Sequence, residues 1–271
     1  MDDCVLRAIR GPSQGPADRL RPVPEPTFIA QLDEQNDPPI GAERITVTYA
    51  DGRTEQLRLH EYDRLYALPG VYEQIVTDRL GCRSPWVIAG MLSGAADRLG
   101  WARPHLRVLD LAAGNGVSGE ALAAEGLTAA LGTDIEPAAR EAALRDRPGL
   151  YDEYLTLDLL ALTDGQRAAI ERARADALCC VAPVGDAGGQ LPAAALAAAV
   201  RLLAPDALIA YMHDPQSGAG YDDVAREWTG ALGSGVRAEE LERRRYVHRR
   251  TVNGAPYEMD GVVWRTARPV L

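Results

Sequence analysis

The chain has 271 residues, 46% of them hydrophobic, and a formal charge of −10 from 29 basic and 39 acidic side chains. That length and apolar content suit one large α/β domain with an appendage, or two small domains, and the acidic balance argues against a nucleic-acid partner, whose binding is driven by basic surface. All 29 basic residues are arginine, which excludes lysine Schiff-base chemistry, and the cysteines Cys4, Cys82, Cys179 and Cys180 form no CxxC pair and no metal-ligand spacing.

Residues 1–40 are rich in proline and lack apolar periodicity, so an extended or poorly ordered arm is expected there. The opening "MDDCVLRAIR" is acidic without an apolar core, unlike a signal peptide. No apolar run approaches the ~20 residues of a membrane span, so a reducing, cytoplasmic setting without a membrane partner is expected. Residues 41–104 read as a hairpin followed by helical segments. Alternating residues flank "ADGR", predicting strands near 44–50 and 53–60. "YDRLYALPGVYEQIVTDRLG" predicts short helices broken at Pro69-Gly70. "SPWVIAGMLSGAADRLG" predicts an amphipathic helix capped by Ser84, with Pro85 at its first position.

From Leu106 a strict alternation begins and fills a third segment, 105–271. Strands are predicted over 106–111, 128–133, 153–157 and 176–181 and in "ALIAYMH". Helices are predicted over 117–125, 137–146, 163–174 and 220–232 and in "LPAAALAAAVRLL". "RRRYVHRRTV" and "YEMDGVVWRTA" flank "NGAP" and predict an edge hairpin. Such alternation means a largely parallel sheet covered on both faces. Cys179 and Cys180 are adjacent on a strand, so they point to opposite faces as buried packing residues.

The turn in "LRVLDLAAGNGVSGEAL" carries the chemistry. Gly114 and Gly116 let a backbone approach a ligand closely, and the following helix aims its N-terminus at the same place. A dinucleotide would set its pyrophosphate beside Asp110, where the carboxylate repels it, and the G-x-G-x-x-G fingerprint fails at Ala112 and Val117. S-adenosylmethionine (SAM) has no phosphate and carries a sulfonium and an ammonium, which an acid suits. Asp134 closes the next strand in "LGTDIEPAA", placed to accept ribose hydroxyls, with Ile135 beside it for the adenine face.

With these motifs, the stretch from about Leu106 to Pro215 resembles the class I SAM-dependent methyltransferases of the small-molecule type, with Ala112 standing where that family usually has its first glycine. The resemblance implies a Rossmann-like, doubly wound, seven-stranded mixed sheet of order 3-2-1-4-5-7-6. It implies that Asp110 and the Ala112, Gly114, Asn115 and Gly116 backbone hold the methionine end, and that Asp134 and Ile135 hold the ribose and adenine. It implies Asp158 and the Leu159 N–H at the adenine amino group, and Ala182 under the methionyl ammonium. It also implies S-adenosylhomocysteine as product and a small-molecule acceptor, secondary metabolites included.

Methyl transfer is an in-line displacement that needs alignment more than acid–base groups, so the catalytic signature is thin. His213, ending the fifth core strand in "AYMHDP", is the best base candidate. His60, His105 and His248 rank below it, in or beside edge strands and a linker. Tyr62, Tyr66 and Tyr72 are expected in a lid, the first two on one helix face. The arginines of "ERRRYVHRR" are expected as solvated edge-strand charge. A methyltransferase-fold protein that binds SAM without methylating, as a structural cofactor or for a cyclisation or rearrangement, stays open. So does the oligomeric state, a homodimer included.

Overall fold

The alternation that begins at Leu106 is seen as seven strands in one sheet. The computed structural model describes residues 28–34, 38–185, 190–218 and 220–267. The first strands are β1 (Phe28–Leu32), β2 (Arg44–Tyr49) and β3 (Thr54–Arg58), followed by α1 (Tyr62–Ala67), a π-helical segment Glu73–Arg79 and α2 (Ser84–Arg98). The core then runs β4 (Arg107–Leu111), α3 (Val117–Ala124), β5 (Thr128–Asp134), α4 (Pro137–Asp146), β6 (Glu153–Thr156), α5 (Asp164–Ala173), β7 (Ala177–Pro183), α6 (Ala193–Val200), β8 (Asp206–His213) and α7 (Tyr221–Ala231), and ends in the hairpin β9 (Arg237–Arg250) and β10 (Pro256–Ala267).

The large sheet has the order β6-β5-β4-β7-β8-β10-β9. Counted from β4 as the first core strand, this is the expected 3-2-1-4-5-7-6. β10 runs antiparallel to β8, and β9 lies at the edge. β4, β7 and β8 are buried on both faces and read as continuous apolar runs, as parallel strands under two helical layers must. Cys180 joins the core that Leu196 and Trp228 build under α6 and α7. Cys179 joins the core that Ile88, Leu92 and Leu122 build under α2 and α3. The two cysteines face opposite sides of the sheet.

β1, β2 and β3 form a separate antiparallel sheet. Within the segment read as an arm, residues 1–27 and 35–37 lie outside the described residues, and Phe28–Leu32 is a paired strand. Ile45, Val47, Leu57, Leu65 and Ile75 pack as this unit's own core, and Val252 from the β9–β10 turn reaches into it. Arg249 and Glu43 form a buried ion pair between the same hairpin and the small sheet. Among the described residues no helix is long and apolar enough to cross a membrane.

Helix α2 differs from expectation at its start. Arg83, not Ser84, occupies the cap position, and no side chain caps the helix. The Ser84 hydroxyl is engaged elsewhere, 2.6 Å from His248 Nδ1 and 2.7 Å from the Tyr246 hydroxyl.

Candidate functional site

The loop after β4 is shaped by left-handed backbone. Ala112 has φ +53°, Gly114 +55° and Gly116 +92°. Gly114 N–H donates to Asp134 Oδ2 at 2.9 Å, and Glu136 N–H donates to Asp134 Oδ1 at 2.9 Å. One carboxylate thus ties the first core loop to the end of the second core strand. Burial raises the Asp134 pKa, and the N–H bonds from Glu136 and Gly114 oppose the rise. Gly114 is further constrained from above, since a Cβ there would lie 2.5 Å from the Tyr66 hydroxyl. Tyr66 is itself held between Tyr62 and Tyr72, with ring centroids 5.4 and 5.5 Å away.

These residues bound a chamber of about 990 Å³ at the carboxyl ends of the core strands. Ala112, Gly114, Asn115, Asp134, Ile135 and Ala182 line it, as do Tyr62, Tyr66 and Tyr72. Ile135 is 69% exposed, an apolar surface free to take a flat ring.

Five expected residues lie elsewhere. Asp110 is fully buried behind the loop, where its Oδ2 accepts from the Ser118 and Tyr151 hydroxyls, each at 2.7 Å. Its Oδ1 has no partner among the described residues, and burial pushes its pKa up to about 7. The carboxyl braces the loop from beneath and does not face the chamber. Gly116 faces Arg147, Leu150 and Tyr151. Asp158 is exposed, and its Oδ1 accepts from Leu160 N–H at 2.9 Å; neither it nor the buried Leu159 reaches the chamber. Ala112, standing where the resembling family usually has glycine, takes a positive φ.

His213 is the fifth residue that lies elsewhere. Its neighbours on either side, Met212 and Asp214, line the chamber, and strand alternation turns His213 to the other face. There its ring packs against Tyr221 of α7, with centroids 5.6 Å apart. The histidines that do line the chamber are His60 and His248. His248 is held at Nδ1 by Ser84, and burial, with Arg249 beside it, drives its pKa down to about 3. A neutral imidazole of this kind orients a partner and is a poor base near pH 7.

The end of the chamber away from Asp134 comprises Met212, Asp214, His248, Arg249, Tyr257 and Met259, of which the sequence singles out only His248, as a base ranked below His213. The Tyr257 hydroxyl donates to Asp214 Oδ2. The signal that hid His248 and Arg249 was the basic run around them. The strand alternation that would have exposed them breaks there, because Tyr257 pairs with Arg249 and Glu258 with Val247, leaving His248 in a β-bulge.

No protein-family model matches the chain, and no curated protein matches it. Among solved structures, a TehB-like SAM-dependent methyltransferase from Corynebacterium glutamicum is similar at 16% identity, covering 77% of this chain and 98% of that one with a TM-score of 0.49. A candidate RNA methyltransferase from Pyrococcus horikoshii is similar at 14% identity over 70% and 85% of the two chains, TM-score 0.48. Magnesium protoporphyrin IX methyltransferase from Synechocystis, with bound SAM, is similar at 16% identity over 67% and 79%, TM-score 0.43. The strand order of the large sheet, with its antiparallel seventh core strand, decides the architecture. The fold is a Rossmann-like, doubly wound, seven-stranded mixed sheet.

Proposed function

We propose that this chain transfers a methyl group from SAM to a small-molecule acceptor. The observation that carries the reading is Asp134. It is a strand-end carboxylate fixed by two backbone N–H groups and facing a chamber beside a bare Ile135. Its remaining lone pairs suit a ribose diol, whereas a phosphate there would meet a negative charge. Ile135 would cover the adenine face, and the backbone of Ala112, Gly114 and Asn115, with Ala182, would border the methionine end.

When bound, SAM supplies an electrophilic methyl group on a sulfonium. The chain's own contribution is alignment and exclusion of water. Tyr62, Tyr66 and Tyr72 roof the loop, and the far end of the chamber holds the acceptor in line. A small acceptor is supported by the lining, which has Asp63, Asp134, Glu136 and Asp214 against Arg249, itself paired with Glu43. Among the described residues, a phosphate backbone meets no unpaired arginine in such a lining.

The test is calorimetric titration with S-adenosylhomocysteine and with NAD. S-adenosylhomocysteine should bind and NAD should not. Tighter binding of NAD would end the reading. Methylated product detected by mass spectrometry after incubation with SAM completes it.

A further inference from the structure

Asp214 has no role in the cofactor contacts above, and its surroundings are unusual for a carboxylate. It follows β8, three strands from the end of β5 that carries Asp134, or roughly 14 Å at ~4.8 Å per strand. It is 9% exposed. Its Oδ1 accepts from Gln216 N–H at 2.8 Å, and its Oδ2 accepts from the Tyr257 hydroxyl. Both donors are neutral, and among the described residues no cation forms a salt bridge with it. Carboxylates withdrawn this far from water are normally matched by a cation.

The two nearby bases of the lining are committed. Arg249 donates to Glu43 Oε1 and to the Arg250 carbonyl. His248 is tied to Ser84 and stays neutral. Among the described residues, the acceptor end therefore keeps a carboxylate with no ion-pair partner of its own. The walls around it are apolar and polarisable. Met212 and Met259 line the space, and the His248 ring stands edge-on to Tyr257 with centroids 5.9 Å apart. Thioethers and ring edges of this kind favour a flat aromatic body.

We propose that the acceptor end of the chamber binds a flat aromatic molecule carrying a cationic amine, with Asp214 as the ion partner of the amine and Tyr257, Met212 and Met259 around the ring. This deepens the methyl-transfer reading and rests on it for the word acceptor. It predicts discrimination by charge: amines enter, carboxylates do not.

The experiment is a charge series on one ring. Tyramine, 4-hydroxybenzyl alcohol and 4-hydroxybenzoate are titrated by calorimetry at neutral pH into protein saturated with S-adenosylhomocysteine. Tyramine should bind at least about tenfold tighter than the alcohol, through a desolvated charge pair, and the benzoate should give no heat. Asp214→Asn should bring tyramine to the level of the alcohol while leaving the S-adenosylhomocysteine isotherm unchanged. Tyr257→Phe, which keeps the carboxylate, should preserve the order and stands in if the asparagine variant does not fold. Equal binding of all three, preference for the benzoate, or no heat from any of them overturns the proposal. So does an Asp214→Asn isotherm weakened for S-adenosylhomocysteine, which would assign the acid to the cofactor's ammonium. If S-adenosylhomocysteine itself fails to bind wild type, the methyl-transfer reading falls, and the same series on the bare protein still decides the amine site.

Discussion

The two ends of the chamber are built differently. The Asp134 end is made of backbone: a left-handed loop, a helix start and a strand-end carboxylate that bonds N–H groups. The Asp214 end is made of side chains brought from β8 and the residue after it and from both strands of the edge hairpin. The first depends on short local geometry, and the second on how distant elements dock. Perturbing the docking should therefore collapse one end and spare the other.

The largest expected effect is at the ion pair that fastens the small sheet to the hairpin. The side chains of Arg249 and Glu43 are 5% and 1% exposed. Arg249→Met leaves Glu43 buried and uncompensated, which should cost about 3–5 kcal/mol in urea unfolding. Adding Glu43→Gln should return much of that loss, because the penalty lies in the orphaned charge. A loss under about 1 kcal/mol, as for an exposed pair, would show that the small sheet is held by apolar packing alone.

Next comes the pH response of Asp110, beneath the other end. Its pKa of about 7 in the folded chain compares with ~3.9 in an unfolded one. The folded state binds a proton more tightly, so stability should fall as pH rises from about 4 to about 7 and level off above. At ~1.4 kcal/mol per pH unit this amounts to a few kcal/mol. His248 works in the opposite sense. Its pKa near about 3, against ~6.5 unfolded, removes stability as pH drops below ~6.5. Asp110→Asn isolates the first effect. It should be the more stable protein at pH 8 and lose that advantage by pH 4. A gap between variant and wild type that does not change with pH would contradict the assignment.

Legibility in the sequence follows the same division. The helix expected over 137–146 is seen at Pro137–Asp146, and Asp134 closes β5 as expected, where it also accepts from Gly114 N–H. The helix and the strand end are dictated by residues close in sequence. Asp110 and His213 were misread because a strand-end position does not say which way a side chain turns. Asp110 lies under its loop, and His213 faces α7. His248 and Arg249 were hidden by a bulge that resets the alternation of β9. Ser84 reads as a cap until β9 is docked beside it and His248 claims the hydroxyl.

A smaller effect is expected at Asp134. Asp134→Ala should weaken S-adenosylhomocysteine binding by about 1.5–3 kcal/mol, the range for hydrogen bonds to a charged group. Gly114 and Glu136 lose their acceptor at the same time, so urea unfolding should register about 1–3 kcal/mol as well. An unchanged dissociation constant in a folded variant would place the ribose elsewhere and remove the main support for the cofactor reading.

The smallest effect is a gain. Ala112 holds φ +53° where the family it resembles usually has glycine, and the left-handed region costs an L-residue roughly 1–2 kcal/mol. Ala112→Gly removes that strain but frees the unfolded chain, which offsets about 0.5–1 kcal/mol. The net expectation is stabilisation by about 0.5–1 kcal/mol in urea unfolding, with S-adenosylhomocysteine affinity held, since the backbone path is unchanged. The alanine methyl packs against the core under α6 and α7, and that contact works against the gain. A loss of stability would mean that packing outweighs strain at this position, and that the Asp134 end, like the Asp214 end, owes its shape to side chains.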